Sequence, residues 1–226
     1  YVQRKFITLV ADKSDDDSTG SQYRVNVNKR HMLEYYKNNC VSYLVPAAFT
    51  AVAILEKDMF RFTAGDLNEF YTFLRSFFKY EFAYNLDLDP EYFVRKNIKA
   101  FINDGVLEPH QNVPDTYNLT PVGLRKLKSL AKFLKTYFES YWIVLQTFKR
   151  NSRDSFNGKD RMKKIQTTGN RLYKRKEIDL PESLSKINYD NAINYFTTHN
   201  IKGSEDSAQI TYYEDIVQRC LKLLTS

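Results

Sequence analysis

The stretch "GVLEPHQNVPDTYNLTPVGLRKL" (residues 105–127) supports two different readings. Read as chemistry, His110 and Asp115 stand five apart, a spacing able to set a general base near an orienting carboxylate. Read as architecture, a glycine, a short apolar strand, a polar loop, "YNLT" and a long helix come in the order of a winged helix. Context favours the second reading. The two residues flank "QNVP", a polar, proline-containing loop between two short strands, and such loops run over the surface. A catalytic pair needs a fixed pocket before spacing means anything, so no catalytic residue is assigned.

Working outward, the architecture extends on both sides. "DPEYFVRKNIKAFINDG" has Asp89 as cap, Pro90 at the first helical position and Gly105 as its stop. It predicts a helix over 89–104, then strands at Val106–Glu108 and Thr116–Leu119. Thr120 and Pro121 open a long helix whose apolar stripe runs from Leu124 to Leu145. Upstream, Thr63 or Asp66 caps a helix carrying Leu67, Phe70, Leu74, Phe77 and Phe78 on one stripe. Leu74, Phe78, Phe101, Leu119, Leu127, Leu130 and Trp142 are expected to pack together around the wing. As a nucleic-acid reader the unit is poorly equipped. Arg95, Lys96 and Lys99 share the recognition helix with Glu91 and Asp104, and "EPHQNVPD" has no cation to hold a phosphate.

The N-terminal "RKFITLV" and "YRVNVN" alternate like two strands of a hairpin, bridged by the polar "DKSDDDSTGS". Asn28 caps the helix after them, which leads into "VSYLVPAAFTAVAIL" (41–55). That run falls short of the roughly 20 residues a membrane span needs, and Pro46 interrupts it, so a buried helix is predicted. Beyond residue 150 the composition turns to Lys, Arg, Ser, Asn and Gly as far as Asn170, which reads as a loop or linker. Structure resumes with helices opened by Pro181 and by Asn188 or Asp190, and ends in an amphipathic helix from Thr211.

The 226 residues suffice for one ample domain or two small ones; 42% are hydrophobic, with only 7 Gly and 6 Pro. The expected fold is mainly α: a helical domain with a winged-helix-like core and a small β-hairpin or wing. Three segments are expected: 1–57 as hairpin and joining helix, 58–150 as the core, 151–226 as basic linker and C-terminal helices. The chain opens on Tyr1 with no charged-then-apolar leader, which argues against a signal peptide and for a piece of a longer protein. Cys40 and Cys220 lack companions at metal-ligand spacing and read as reduced thiols of a cytoplasmic protein. No cofactor or metal is implied.

The net charge of +7 is uneven: Lys149–Lys176 holds eleven Lys or Arg against Asp154 and Asp160, a local +9, leaving −2 elsewhere. Lys163, Lys164, Lys174, Arg175 and Lys176 are the candidate contacts for an anionic surface or partner.

Several motifs, in order, resemble the C-terminal region of PlsB-type glycerol-3-phosphate acyltransferases. They are "YYKNN" (35–39) leading into the proline-containing apolar run, "FFKYEF" (77–82), "DGVL" (104–107), "YNLTPVG" (117–123), "FESYWIVL" (138–145) and "ESLSKINYDNAINYF" (182–196). The resemblance implies a parent enzyme that moves an acyl chain from acyl-CoA or acyl carrier protein to the sn-1 hydroxyl of glycerol 3-phosphate. It places the family's own H-x-x-x-x-D motif in an N-terminal catalytic domain, and His110–Asp115 does not match that block. Ser42 departs from a His found in many relatives. The implied partners are the catalytic domain and, peripherally, the cytoplasmic side of an anionic inner membrane; nucleic acid is not expected. The alternatives are a winged-helix nucleic-acid-binding module and an inactive relative acting as a scaffold.

Overall fold

The computed structural model describes residues 7–11, 22–26, 30–82, 88–154 and 158–225, with side chains for all of these except residues 10, 11, 22, 30–40, 42, 158 and 159. Two compact units divide between residues 44 and 45. In the first, β1 (Ile7–Ala11) and β2 (Gln22–Val25) pair antiparallel, with Ile7 opposite Val25 and Leu9 opposite Tyr23. This is the hairpin that the alternating pattern predicts; its connecting loop and the expected Asn28 cap lie outside the described residues.

Helix α1 (Arg30–Glu56) starts in the first unit and ends in the second. It continues through Pro46, where the sequence suggests an interruption. A proline inside a helix costs ~3 kcal/mol, but Val45, Ala48, Phe49 and every residue from Ala51 to Leu55 are buried, which outweighs that cost. From Val45 onward the run is a core helix, while Tyr43 and Leu44 are exposed, and among the described residues no helix is long and apolar enough to cross a membrane.

The second unit continues with β3 (Arg61–Thr63), α2 (Ala64–Phe77), α3 (Pro90–Asn103), β4 (Leu107–Pro109) and β5 (Thr116–Leu119). The caps are those the sequence names. Thr63 and Asp66 form a reciprocal capping box, and Asp89 accepts from the Glu91 amide ahead of Pro90. The three strands form one antiparallel sheet in the order β3-β5-β4. Strand β3 is an addition to the expected hairpin. Its three residues are too few to show a period, and Phe62 is fixed by pairing with Tyr117.

Two features lock the β4–β5 hairpin to the helix after it. Gly105 has φ +66°, a left-handed turn that glycine adopts at little cost, and it sends Val106 back to donate to the Phe101 carbonyl at 2.8 Å. Thr120 then donates from its amide and its hydroxyl to the Val106 carbonyl, at 3.2 and 3.1 Å, while capping α4 (Pro121–Ala131) through the Gly123 amide. A Cβ on Gly123 would lie 2.1 Å from that same carbonyl. Thus "DGVL" and "YNLTPVG" are the two halves of one close crossing.

The sequence suggests one helix from Thr120 to beyond Lys149. The structure tightens residues 132–134 into a 3-10 turn between α4 and α5 (Lys135–Lys149). Helix α5 is the centre of the unit, buried from Phe138 to Phe148 apart from half-buried Trp142 and Gln146. It packs against α6 (Gly158–Lys174), α7 (Lys186–Thr198) and α8 (Ser207–Thr225). Helix α6 corrects the reading of 150–170 as loop or linker. Ile165, Thr168, Gly169 and Leu172 are buried at helical spacing, a stripe that the surrounding Lys, Arg, Asn and Thr residues dilute.

Of the seven expected core residues, Leu74, Phe78, Phe101 and Leu127 are buried, while Leu119, Leu130 and Trp142 are half-buried. The densest part of the core is aromatic. Phe77 lies 4.8 Å from Tyr141, 4.9 Å from Tyr195, 5.0 Å from Phe78 and 6.0 Å from Tyr213, ring centre to ring centre.

This packing can be tested at two positions. Gly123→Ala is expected to lower stability by about 2–4 kcal/mol, read from urea unfolding, because the clash is with backbone and not with a flexible side chain. A change within about ±0.5 kcal/mol would mean that the crossing is loose. The second position is Glu81, whose Oε2 accepts from Asn191 at 2.9 Å. Burial pushes its carboxyl up to about 7 from the ordinary 4.5, with hydrogen bonds from Asn191 and Tyr141 offsetting part of the rise. The folded chain therefore keeps a proton that the unfolded chain releases, so stability falls as pH rises from about 4.5 to about 7 and is level above that. Glu81→Gln should flatten that part of the Tm–pH profile and raise Tm above pH 7; an unchanged profile would show that the carboxyl ionises normally.

Candidate functional site

The His–Asp spacing at residues 110 and 115 brings no pair together. His110 Nδ1 accepts from the Asn112 amide at 3.2 Å, and the His110 amide donates to the Thr116 carbonyl at 2.8 Å. Asp115, at φ +52°, is held by both terminal nitrogens of Arg95, at 2.9 and 3.3 Å, and by the Tyr117 hydroxyl at 3.0 Å. The Arg95 guanidinium holds the Asp115 carboxyl below the ordinary carboxylate range. Its Nε reaches Glu91 at 2.7 Å. No hydrogen bond joins His110 to Asp115; the aspartate pins the tip of the hairpin to α3. The same contacts occupy the one α3 arginine that a nucleic-acid reader would use.

A second constellation carries no catalytic spacing in the sequence. Glu139 on α5 is 1% exposed and accepts from the amides of Asp179 and Leu180, at 2.9 and 3.1 Å, and from the Ser183 hydroxyl at 2.6 Å. Ser140 donates to the Ser183 carbonyl at 2.9 Å and accepts from Asn188 at 3.3 Å. Lys135, 6% exposed, pairs with Asp179 and lies 3.9 Å from Glu139. A serine hydroxyl donating to a carboxylate has the outline of an activated nucleophile, but Ser183 is fully buried. The arrangement is a cap. Glu139 supplies acceptors for the 3-10 turn at Pro181–Leu184, which has no side-chain cap of its own. In sequence terms it joins "FESYWIVL" to "ESLSKINYDNAINYF", and only the acid inside an apolar run signals it.

The basic segment is narrower than its composition suggests. Lys149 pairs with Glu214 at 2.8 Å, Arg153 pairs with Asp206, and Arg175 stands 3.8 Å from Glu177. Of the candidate contacts, Lys163, Lys174, Arg175 and Lys176 are exposed and Lys164 is half-buried. Lys163 and Lys174 lie on the outward face of α6 with Thr167 and Asn170, Arg171 beside them is half-buried, and Arg175 and Lys176 lie in the turn that ends the helix. Cys220 on α8 is buried, and burial pushes its thiol up to about 12, the setting of an inert thiol. Among the described residues, no group of three His, Cys, Asp or Glu gathers to hold a metal ion.

The family model of the glycerol-3-phosphate acyltransferase C-terminal region matches residues 2–205 of the chain. The chain belongs to that family. No curated protein and no solved structure matches it. The match takes in both halves of the Thr120–Val106 crossing and all members of the Glu139 cluster, so the motifs that carry the family resemblance do structural work. The chain is thus a glycerol-3-phosphate acyltransferase C-terminal region, and the clusters built around Asp115 and Glu139 hold its fold together.

Glu139→Gln is expected to cost about 3–5 kcal/mol, because an amide cannot accept from all three donors and the buried Lys135 loses a nearby charge. Ser183→Ala should cost about 1–3 kcal/mol. The reverse order in chemical denaturation would place the anchor of the turn elsewhere.

Proposed function

We propose that the chain acts as the non-catalytic C-terminal region of a glycerol-3-phosphate O-acyltransferase of phospholipid synthesis, bracing the catalytic domain or its association with a membrane. The parent would transfer an acyl chain from acyl-CoA or acyl carrier protein to the sn-1 hydroxyl of glycerol 3-phosphate, at the cytoplasmic side of the inner membrane. The observation that carries the reading is the family match over residues 2–205. The tied-off His110–Asp115 loop and the sealed Ser183 support a role that is not catalytic.

In this reading the strand–helix–helix–hairpin unit (β3, α2, α3, β4–β5) is a winged-helix-like core used as a rigid brace, and the basic face of α6 meets the anionic partner. Binding of duplex DNA through the same unit is disfavoured, because Arg95 is committed to Glu91 and Asp115 and residues 110–115 contain no cation. Purified chain incubated with glycerol 3-phosphate and acyl-CoA should show no turnover above background. Turnover abolished by His110→Ala would overturn the non-catalytic reading. In co-sedimentation the chain should bind anionic vesicles with an affinity that falls steeply with salt. Duplex DNA held at about 0.15 M salt in the absence of vesicle binding would instead favour the nucleic-acid module.

A further inference from the structure

The turn between α1 and β3 presents two large apolar side chains to solvent. Met59 is 53% exposed and Phe60 is 72% exposed. Neither hangs on loose chain. The Asp58 amide donates to the Leu55 carbonyl at 3.2 Å, and the Phe60 carbonyl accepts from the Leu119 amide at 2.8 Å. Asp58 itself takes a left-handed φ of +50°. A residue with a Cβ adopts that φ at a cost, so the packing around the turn holds the pair outward against a local preference.

The pair edges an open groove of about 170 Å³ whose walls include Leu119 of β5, Leu124 of α4 and Leu223 of α8. Among the described residues its charged lining consists of Asp58 and Lys128. Beyond that balanced pair the rim is one-sided. Arg61 follows Phe60 directly, Arg125 follows Leu124, Lys132 stands one turn after Lys128, and Lys222 precedes Leu223; all four are exposed. Glu56, the acid that ends α1, is paired with Arg219.

We infer that this turn is a membrane wedge: Met59 and Phe60 enter the acyl region of an anionic bilayer while the cations around them stay at headgroup level. The inference rests on the membrane reading above and adds to it a contact surface independent of α6. An apolar tip ringed by Lys and Arg suits a bilayer edge, because their stems lie along apolar surface while their heads remain among water and phosphate. Each cation is drawn to an anionic leaflet within a Debye length. A protein partner fits less well. Met and aromatic residues are common at protein interfaces, but Lys is depleted there, and Lys128, Lys132 and Lys222 all border this groove. A second copy of the chain would need to cover roughly 800 Å² on each side, which two exposed side chains beside a small groove do not supply. Acyl chains are fluid and need no matching surface.

The test uses the 226-residue chain and vesicles of phosphatidylcholine mixed with phosphatidylserine. Met59→Gln combined with Phe60→Gln should weaken binding at least about tenfold. Ile187→Gln, at a position on α7 that is also 72% exposed, should leave binding unchanged. Insertion is read separately with Phe60→Trp. On vesicles with brominated acyl chains it should show quenching that the unsubstituted chain, whose one tryptophan is Trp142, does not. Far-UV circular dichroism and Tm show whether each variant folds, and Phe60→Trp keeps the test open if the double variant does not. Undiminished binding of the double variant, or no added quenching, would overturn the wedge and leave membrane association standing. An equal loss with Ile187→Gln would reduce the effect to general surface hydrophobicity and overturn it too. Self-association in sedimentation velocity that the double variant abolishes would assign the patch to a second copy and overturn the bilayer as occupant. Absence of binding to any vesicle would overturn both this inference and the membrane reading on which it rests.

Discussion

The buried carboxylate of Glu139 constrains the C-terminal half of the structure. An ion removed from water costs several kcal/mol unless its lone pairs are satisfied, and here two backbone amides and the Ser183 hydroxyl meet it within 3.1 Å. Those three donors belong to one turn, residues 179–183, which must therefore lie against α5. The turn separates α6 from α7, so fixing it fixes where α6 ends and where α7 begins. Gly169 of α6 then faces Tyr189 of α7 so closely that a Cβ there would lie 2.5 Å from the tyrosine hydroxyl. One polar contact thus decides a register that apolar packing alone leaves open.

Apolar packing supplies most of the stability around that contact. The Phe77 cluster draws on α2, α5, α7 and α8, and burying each large ring contributes ~1.5–3 kcal/mol with ~0.5–1.5 kcal/mol more for edge-to-face geometry. Because Phe77 and Phe78 belong to the strand–helix–helix–hairpin unit while Tyr141, Tyr195 and Tyr213 belong to the later helices, the two parts share one core.

Much of this is legible in the sequence, and the exceptions share a cause. Helix starts are plain because Thr63, Asp89 and Thr120 are local signals, each satisfied within three residues. The Gly105 stop is plain for the same reason. Strand β3 escapes a local reading because three residues carry no period, and its pairing partner lies more than fifty residues away. Helix α6 escapes it because its four buried positions stand among polar and charged neighbours that leave little average hydropathy, although they fall on one face. Passage of α1 through Pro46 and the tightened turn at 132–134 depend on tertiary packing, which a local reading does not contain. Composition marks the basic segment as a group. Its division into paired and outward members rests on Glu214, Asp206 and Glu177, and two of these lie far along the chain.

That the basic segment is a packed helix changes its physics. Had residues 158–174 been a mobile linker, their charges would average over many geometries, and any anionic surface would attract them with strength set by charge count and salt alone. Anchored by Ile165 and Leu172, the side chains of Lys163, Thr167, Asn170 and Lys174 start from a common backbone frame. The same anchoring ties that surface to the core, since the helix that carries the cations is held in place by the turn that Glu139 caps.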